Sequence, residues 1–305
     1  AATYHTSIPE YVENYTRDIS LEALAWKYML AFYHAVDEVL VPSKFIARLL
    51  HKRGLRNRKL LILDRWVDVD RFHPRNRTPS FWKKFGLENE DSLVKFIYVG
   101  RIGVEKNLRQ VAEAYVMLRK TRSDCHLIVV GDGPYRAELE KLLAGEPVTF
   151  TGFLEREELC RAIASADAKL YPSTTDTWGN APLEAQASGV PVVVSAIGGP
   201  AELMVDGETG LKVSGRDTGE LAGAMVALMA PELRHRLGRQ ARAFAEAHRV
   251  EEPFTAIFDA EVYRRRLREE ENAPDERLLQ TSEAAHLACL YFANDAELEG
   301  SKDVA

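Results

Sequence analysis

A chain of 305 residues, 46% apolar and 28% charged, has the composition of an ordinary globular protein and the length of two domains, or of one large domain with extensions. Its formal net charge of -6 argues against a general nucleic-acid binder, which is usually basic. No run of about 18 apolar residues marks a membrane span, and Cys125, Cys160 and Cys289 have no metal-ligand spacing and leave an odd thiol, which points to a reduced, cytoplasmic chain.

In chain order, residues 1–9 read as the end of a strand and a turn, as if the chain were entered midway; no signal peptide opens it. Leu21 to Ala35 carries apolar and aromatic residues at helical spacing, expected to pack on a core. Val39 to Val41 reads as a strand, and Pro42-Ser43 caps a helix running to about Lys52. Lys44 to Lys59 holds several basic residues and no acidic one. A solvated helix face explains this more simply than an anionic membrane surface or acceptor. Leu61 to Pro74 leaves this region, and the polar stretch from Pro74 to Asp91, with Pro79 and Gly86, reads as a linker.

From Leu93 the pattern is regular α/β. Apolar, β-branched runs fall at Val94–Val99, Leu127–Val130, Val148–Thr151, Ala168–Tyr171 and Val192–Ser195. Helical patterns such as Leu108, Val111, Ala112, Tyr115 and Leu118 separate them. Alternation of this kind predicts a doubly wound parallel sheet, with ligands at the carboxyl ends of its strands. After Gly210 the chain reads as helices at Thr218–Met229, Pro231–His248 and Glu252–Leu267, then a charge-rich break and a tail with one short helix, Glu283–Phe292.

Three motifs fall at predicted strand ends. In YVGRIGVEKN, Gly100-Arg101 follows a strand and Lys106 precedes a helix expected to be capped by Asn107. A guanidinium fork and an ammonium point charge there suit a diphosphate. Glu105 is expected to orient Lys106 or to form a surface pair. VVGDGPYRAELE ends a strand at Gly131 to Gly133, with Pro134 suited to a first helical position. No GxGxxG is present, so a nicotinamide dinucleotide is disfavoured. In YPSTTDTWGNAPLEAQASGV, residues 171–190, a polar loop passes Gly179 into a helix whose first N–H groups, those of Asn180 and Ala181, suit a phosphate. Pro182 donates nothing. Asp176 and Glu184 stand eight positions apart and can flank a sugar nucleotide; on spacing alone, a helix cap and a solvated side chain explain them equally well. Gly198, Gly199 and Glu202 form a further turn, ligand-facing or purely structural.

The stretch PSTTDTWGNAPLEAQASGVPVVVS resembles the acidic donor-site motif (Glu, seven residues, Glu) of the retaining glycosyltransferases of family 4, with their GT-B fold. Asp176 stands at the first acidic position, where Glu is usual, one methylene shorter, and Glu184 at the second. The resemblance runs from about Tyr4 to about Tyr263. It implies one complete Rossmann-like, donor-binding domain (93–250), a remnant of the acceptor-side domain (1–75), a linker (76–92), a crossing C-terminal helix (251–268) and a tail without counterpart (269–305). Most of the N-terminal lobe, with its glycine-rich loop, is expected earlier than Ala1. The resemblance also implies that His5, Arg101, Lys106, Asp176 and Glu184 are catalytic. Gly100, Gly131, Phe153, Leu154, Gly179, Asn180 and Ala181 are implied to bind the donor, with Gly131 to Gly133 and Thr151 to Leu154 near the base. The substrate implied is a nucleoside-diphosphate-sugar, the acceptor a glycan or lipid hydroxyl, with no cofactor and no metal, in the cytoplasm or peripherally at the cytoplasmic face of a membrane. The departing phosphate itself takes the acceptor proton, so no enzymic nucleophile is expected. Two other readings stand beside this one: a non-catalytic or split donor-binding subunit that needs a partner chain, and a phosphorylase on the same fold, weakened by the lack of a lysine–pyridoxal motif.

Overall fold

A computed structural model of the chain describes residues 2–55, 59–62, 66–177 and 179–248. The described residues end at 248, so the expected crossing helix (251–268) and tail (269–305) lie outside them.

The first segment builds a parallel three-stranded sheet from β1 (Ala2–Thr3), β2 (Glu38–Val41) and β3 (Lys59–Ile62). Between β1 and β2 lie α1 (Ile8–Thr16), which the sequence reading did not anticipate, and α2 (Ile19–His34). Asp18 starts α2 by accepting from the N–H groups of Ser20 and Leu21. Trp26, Met29 and Tyr33 pack inward, whereas Leu24, Tyr28 and Phe32 face out, so only part of this helix is core. Ser43 caps α3 (Lys44–Lys52) as expected, accepting from Ile46 N–H at 3.2 Å. The basic run is less bare in three dimensions than in sequence. Glu202 accepts from the Lys44 and Phe45 N–H groups at 3.0 and 2.6 Å and lies 3.7 Å from Arg48, while Arg53 pairs with Glu22 at 3.4 Å. Glu202 therefore completes the α3 N-terminus, which favours its structural reading.

The stretch expected as a linker is firmly packed. Phe81 and Trp82 are buried, the Trp82 indole donates to Ser165 O at 3.1 Å, and Arg77 donates to Ala164 O and Ala166 O at 3.3 and 3.0 Å.

The large sheet is formed by β4 (Val94–Val99), β5 (Cys125–Val130), β6 (Val148–Gly152), β7 (Ala168–Tyr171), β8 (Val192–Ser195) and β9 (Gly210–Val213). Its order is β6-β5-β4-β7-β8-β9 and every pairing is parallel. β4, β5, β7 and β8 are buried along their whole length, as strands covered on both faces must be. Helices α4 (Leu108–Arg119), α5 (Arg136–Leu142), α6 (Arg156–Ala164), α7 (Asn180–Ala187), α8 (Thr218–Ala227) and α9 (Pro231–Glu246) complete the layers. β9 is an addition to the expected strands: four residues with one leading glycine carry too little pattern to be seen, yet they pair along all of β8. The chain winds outward one way through β5 and β6, then the other way through β7 to β9. The reversal between β4 and β7 opens a crevice at their carboxyl ends, where open parallel sheets bind ligands.

Candidate active site

The loops after β4 and β7 meet in that crevice. β5 closes on β4 so tightly that a Cβ on Gly131 would sit 2.1 Å from Gly100 O, and Gly131 has φ +122, so only glycine fits. Asn107 precedes α4 but does not cap it. Its amide donates instead to Gln110 at 2.7 Å and to Gly215 O at 2.9 Å, tying the loop to the sheet's far half. Ser173 and Thr175, from the β7 loop, donate to Glu105 O at 3.4 and 3.2 Å.

Lys106 and Asp176 form an ion pair across the two loops, and the Tyr171 hydroxyl donates to the other Asp176 oxygen. Asp176 is 8% exposed. It is not the helix cap: α7 follows Gly179 with no side-chain cap, and the carboxylate is spent on Lys106 and Tyr171. Burial works to lower the Lys106 ammonium pKa, but the Asp176 charge and hydrogen bond outweigh it and raise it above its ordinary value. Burial, with Asp176 beside them, pushes the Tyr171 and Tyr98 phenols far up, so both remain neutral donors.

Gly179 takes the left-handed conformation at φ +64, with room for no more than hydrogen beside Pro200, and starts α7 at Asn180. The Asn180 side-chain oxygen is buried with no donor among the described residues. Glu184 is half-buried on α7. Beneath this helix the sequence reading missed Lys169. It lies within β7, fully buried, and donates to Ala181 O at 2.7 Å; burial lowers its pKa to about 8, against the pull of Glu184. A lysine between Ala168 and Leu170 gave no local sign of its direction.

His5 follows β1, and its carbonyl accepts from Thr177 Oγ1 at 2.6 Å, which holds the first segment to the Asp176 loop. Tyr15, also missed, donates to Glu105 at 2.9 Å and accepts from Arg101 at 2.8 Å. Glu105 is buried under α1, and the cation it pairs with is the exposed Arg101, at 4.0 Å, while Lys106 pairs with Asp176. Phe153 is 80% exposed beyond β6, with Leu154 packed against the core beside it. The structure therefore gathers Gly100, Arg101, Lys106, Asp176 and the start of α7 at one crevice, with His5 at its edge.

A doubly wound sheet with cations and a carboxylate at its switch point is a nucleotide-type binding architecture. The family follows from comparison. A model described as glycosyl transferases group 1 matches residues 81–244, and one described as Glycosyltransferase Family 4 matches residues 1–71. The chain belongs to the group 1 glycosyl transferases. It is 34% identical over 252 residues to the sulfoquinovosyl transferase SQD2 of Arabidopsis thaliana, covering 81% of this chain and 48% of that protein. It is 30% identical over 234 residues to a GDP-mannose-dependent alpha-mannosyltransferase of Corynebacterium glutamicum, covering 77% and 54%. A similar match, 30% over 200 residues (63% and 45%), is to the alpha-monoglucosyldiacylglycerol synthase of Streptococcus pneumoniae. The chain spans about half the length of these relatives. Among solved structures, sucrose-phosphate synthase from Thermosynechococcus elongatus superposes with a TM-score of 0.71 at 24% identity, covering 87% of this chain and 67% of that one. Anabaena HepE in complex with UDP and glucose gives 0.68 at 19%, covering 81% and 67%. These likenesses establish the GT-B-type fold.

Proposed function

We propose that this chain carries the donor half of a retaining glycosyltransferase, which moves a sugar from a nucleoside-diphosphate-sugar to a hydroxyl of a lipid or glycan acceptor. The observation that carries the reading is the Lys106–Asp176 pair spanning the loops after β4 and β7, beside Arg101 and the start of α7. Departure of the diphosphate is the hard step, because negative charge builds on its oxygens. In this reading Arg101, Lys106 and the N–H groups of Asn180 and Ala181 meet that charge, and preorganised donors of this kind are worth several kcal/mol. Each Asp176 oxygen already accepts one hydrogen bond and keeps a second lone pair for a sugar hydroxyl. Glu184 is assigned to the ribose, and His5 to the donor sugar near the anomeric carbon. The acceptor class rests on relatives whose names include a monoglucosyldiacylglycerol synthase and a phosphatidylinositol dimannoside mannosyltransferase.

Calorimetric titration with UDP, GDP and ADP tests this. One nucleotide is expected to bind in the micromolar range, with Arg101→Ala and Glu184→Ala each losing roughly 1–3 kcal/mol. A folded wild type that binds none of the three would overturn the proposal.

A further inference from the structure

Tyr15 leaves the last turn of α1 and reaches the loop after β4. Its hydroxyl accepts from Arg101 Nη2 at 2.8 Å and donates to Glu105 Oε2 at 2.9 Å. The Glu105 carboxylate folds back over Gly103, where a Cβ would lie 2.3 to 2.6 Å from its atoms. It is 3% exposed, and Oε1 is buried with no hydrogen-bond donor among the described residues. Arg101 Nη1 stands 4.0 Å from that oxygen, an ion pair without a hydrogen bond, and the Arg101 side chain is 53% exposed.

A buried carboxylate oxygen without a donor is costly, and a guanidinium is its best partner. Arg101 needs only a small movement to close a two-pronged pair with Glu105. Such a pair would present little positive charge to an incoming phosphate. The Tyr15 hydroxyl stands between them, giving Glu105 a neutral donor while holding one guanidinium nitrogen outward.

The geometry points to Tyr15 as a positioning residue for the diphosphate: by satisfying Glu105 it keeps Arg101 from collapsing onto that carboxylate and leaves its N–H groups for the donor phosphates. This inference rests on the donor-binding function proposed above. It also gives α1, from the segment matched by the family 4 model, a share in a contact made by the group 1 segment.

Titration of UDP, GDP and ADP into four proteins tests it: wild type, Tyr15→Phe, Glu105→Gln and the double variant, each checked for folding by circular dichroism. Tyr15→Phe keeps the ring, loses the hydroxyl, and is expected to weaken the diphosphate that wild type binds by about tenfold. The double variant restores wild-type affinity, because a neutral amide no longer draws in Arg101. Glu105→Gln alone binds at least as tightly as wild type. A merely structural Tyr15 would leave the double variant as weak as Tyr15→Phe, and that result overturns the inference. So would unchanged binding by Tyr15→Phe, or weaker binding by Glu105→Gln. If wild type binds no diphosphate, the donor-site reading itself fails and this inference falls with it.

Discussion

Among the described residues Lys95 and Lys169 are buried and Lys106 is half-buried, each accommodated differently. Lys95, in β4, donates to Glu90 O and Leu93 O at 2.9 and 3.1 Å and pairs with Asp167 at 3.1 Å. Lys106 is held by Asp176, and Lys169 has a single carbonyl and a lowered pKa. The first is thus a packing device, the second belongs to the candidate site, and the third props the first turn of α7. His126 poses the opposite problem. It is buried in β5, joined to Thr149 Oγ1 at 2.8 Å, and burial, then Arg119 and Lys95, push its pKa down to about 4. Below its ordinary value near 6.5 the unfolded chain takes up a proton that the folded chain refuses, so stability falls as pH drops. We expect His126→Phe to flatten the pH dependence of urea unfolding between about pH 6.5 and 4 by about 2–3 kcal/mol relative to wild type. Equal slopes in the two proteins would show that His126 is not held neutral.

At the scale of elements, two helix ends are also closed by side chains from far away in sequence. Glu202 serves α3, and one nitrogen of Arg242, on α9, donates to Val69 O, Phe72 O and Ala187 O at 3.0, 3.0 and 2.5 Å. Arg242 thereby joins the segment entering the large sheet to the C-terminal end of α7, the helix whose first turn faces the crevice. Arg242→Ala leaves three carbonyls to find other partners. It is expected to cost about 2–4 kcal/mol in chemical denaturation and to weaken nucleotide binding as well. Arg242→Lys should recover only part of the stability, since an ammonium cannot reproduce the planar fork. A loss below about 0.5 kcal/mol would mean that water replaces the staple without penalty.

Over the whole molecule, the small and large sheets belong to one unit. Thr177 to His5, Tyr15 to Arg101 and Glu202 to α3 join them, all near the crevice or its rim. A ligand bound there stabilises both. In scanning calorimetry, residues 1–251 should unfold in one transition, and the diphosphate that binds should move it upward intact, adding about 2.7 kcal/mol at a hundredfold excess over Kd. Two transitions, with only one responding to nucleotide, would show that the joining contacts are too weak to couple the sheets.

The sequence alone determined the parallel α/β class, five of the six strands of the large sheet, and the loops carrying Arg101, Lys106 and Asp176. These features are local: a buried strand is a short apolar run, and a motif is a spacing within about ten residues. The tertiary structure decided the strand order, the pairing of β9, the burial of Lys169, and the partners of Asp176 and Glu105. Each depends on where distant stretches land. Lys106 meets Asp176 across 70 positions, Tyr15 meets Glu105 across 90, and Thr177 meets His5 across 172. Glu105 shows why the sequence could not assign such partners. Next to Lys106 in the chain it reads as that residue's companion, but the turn Val104–Lys106 sends the two side chains apart, Lys106 to the β7 loop and Glu105 beneath α1.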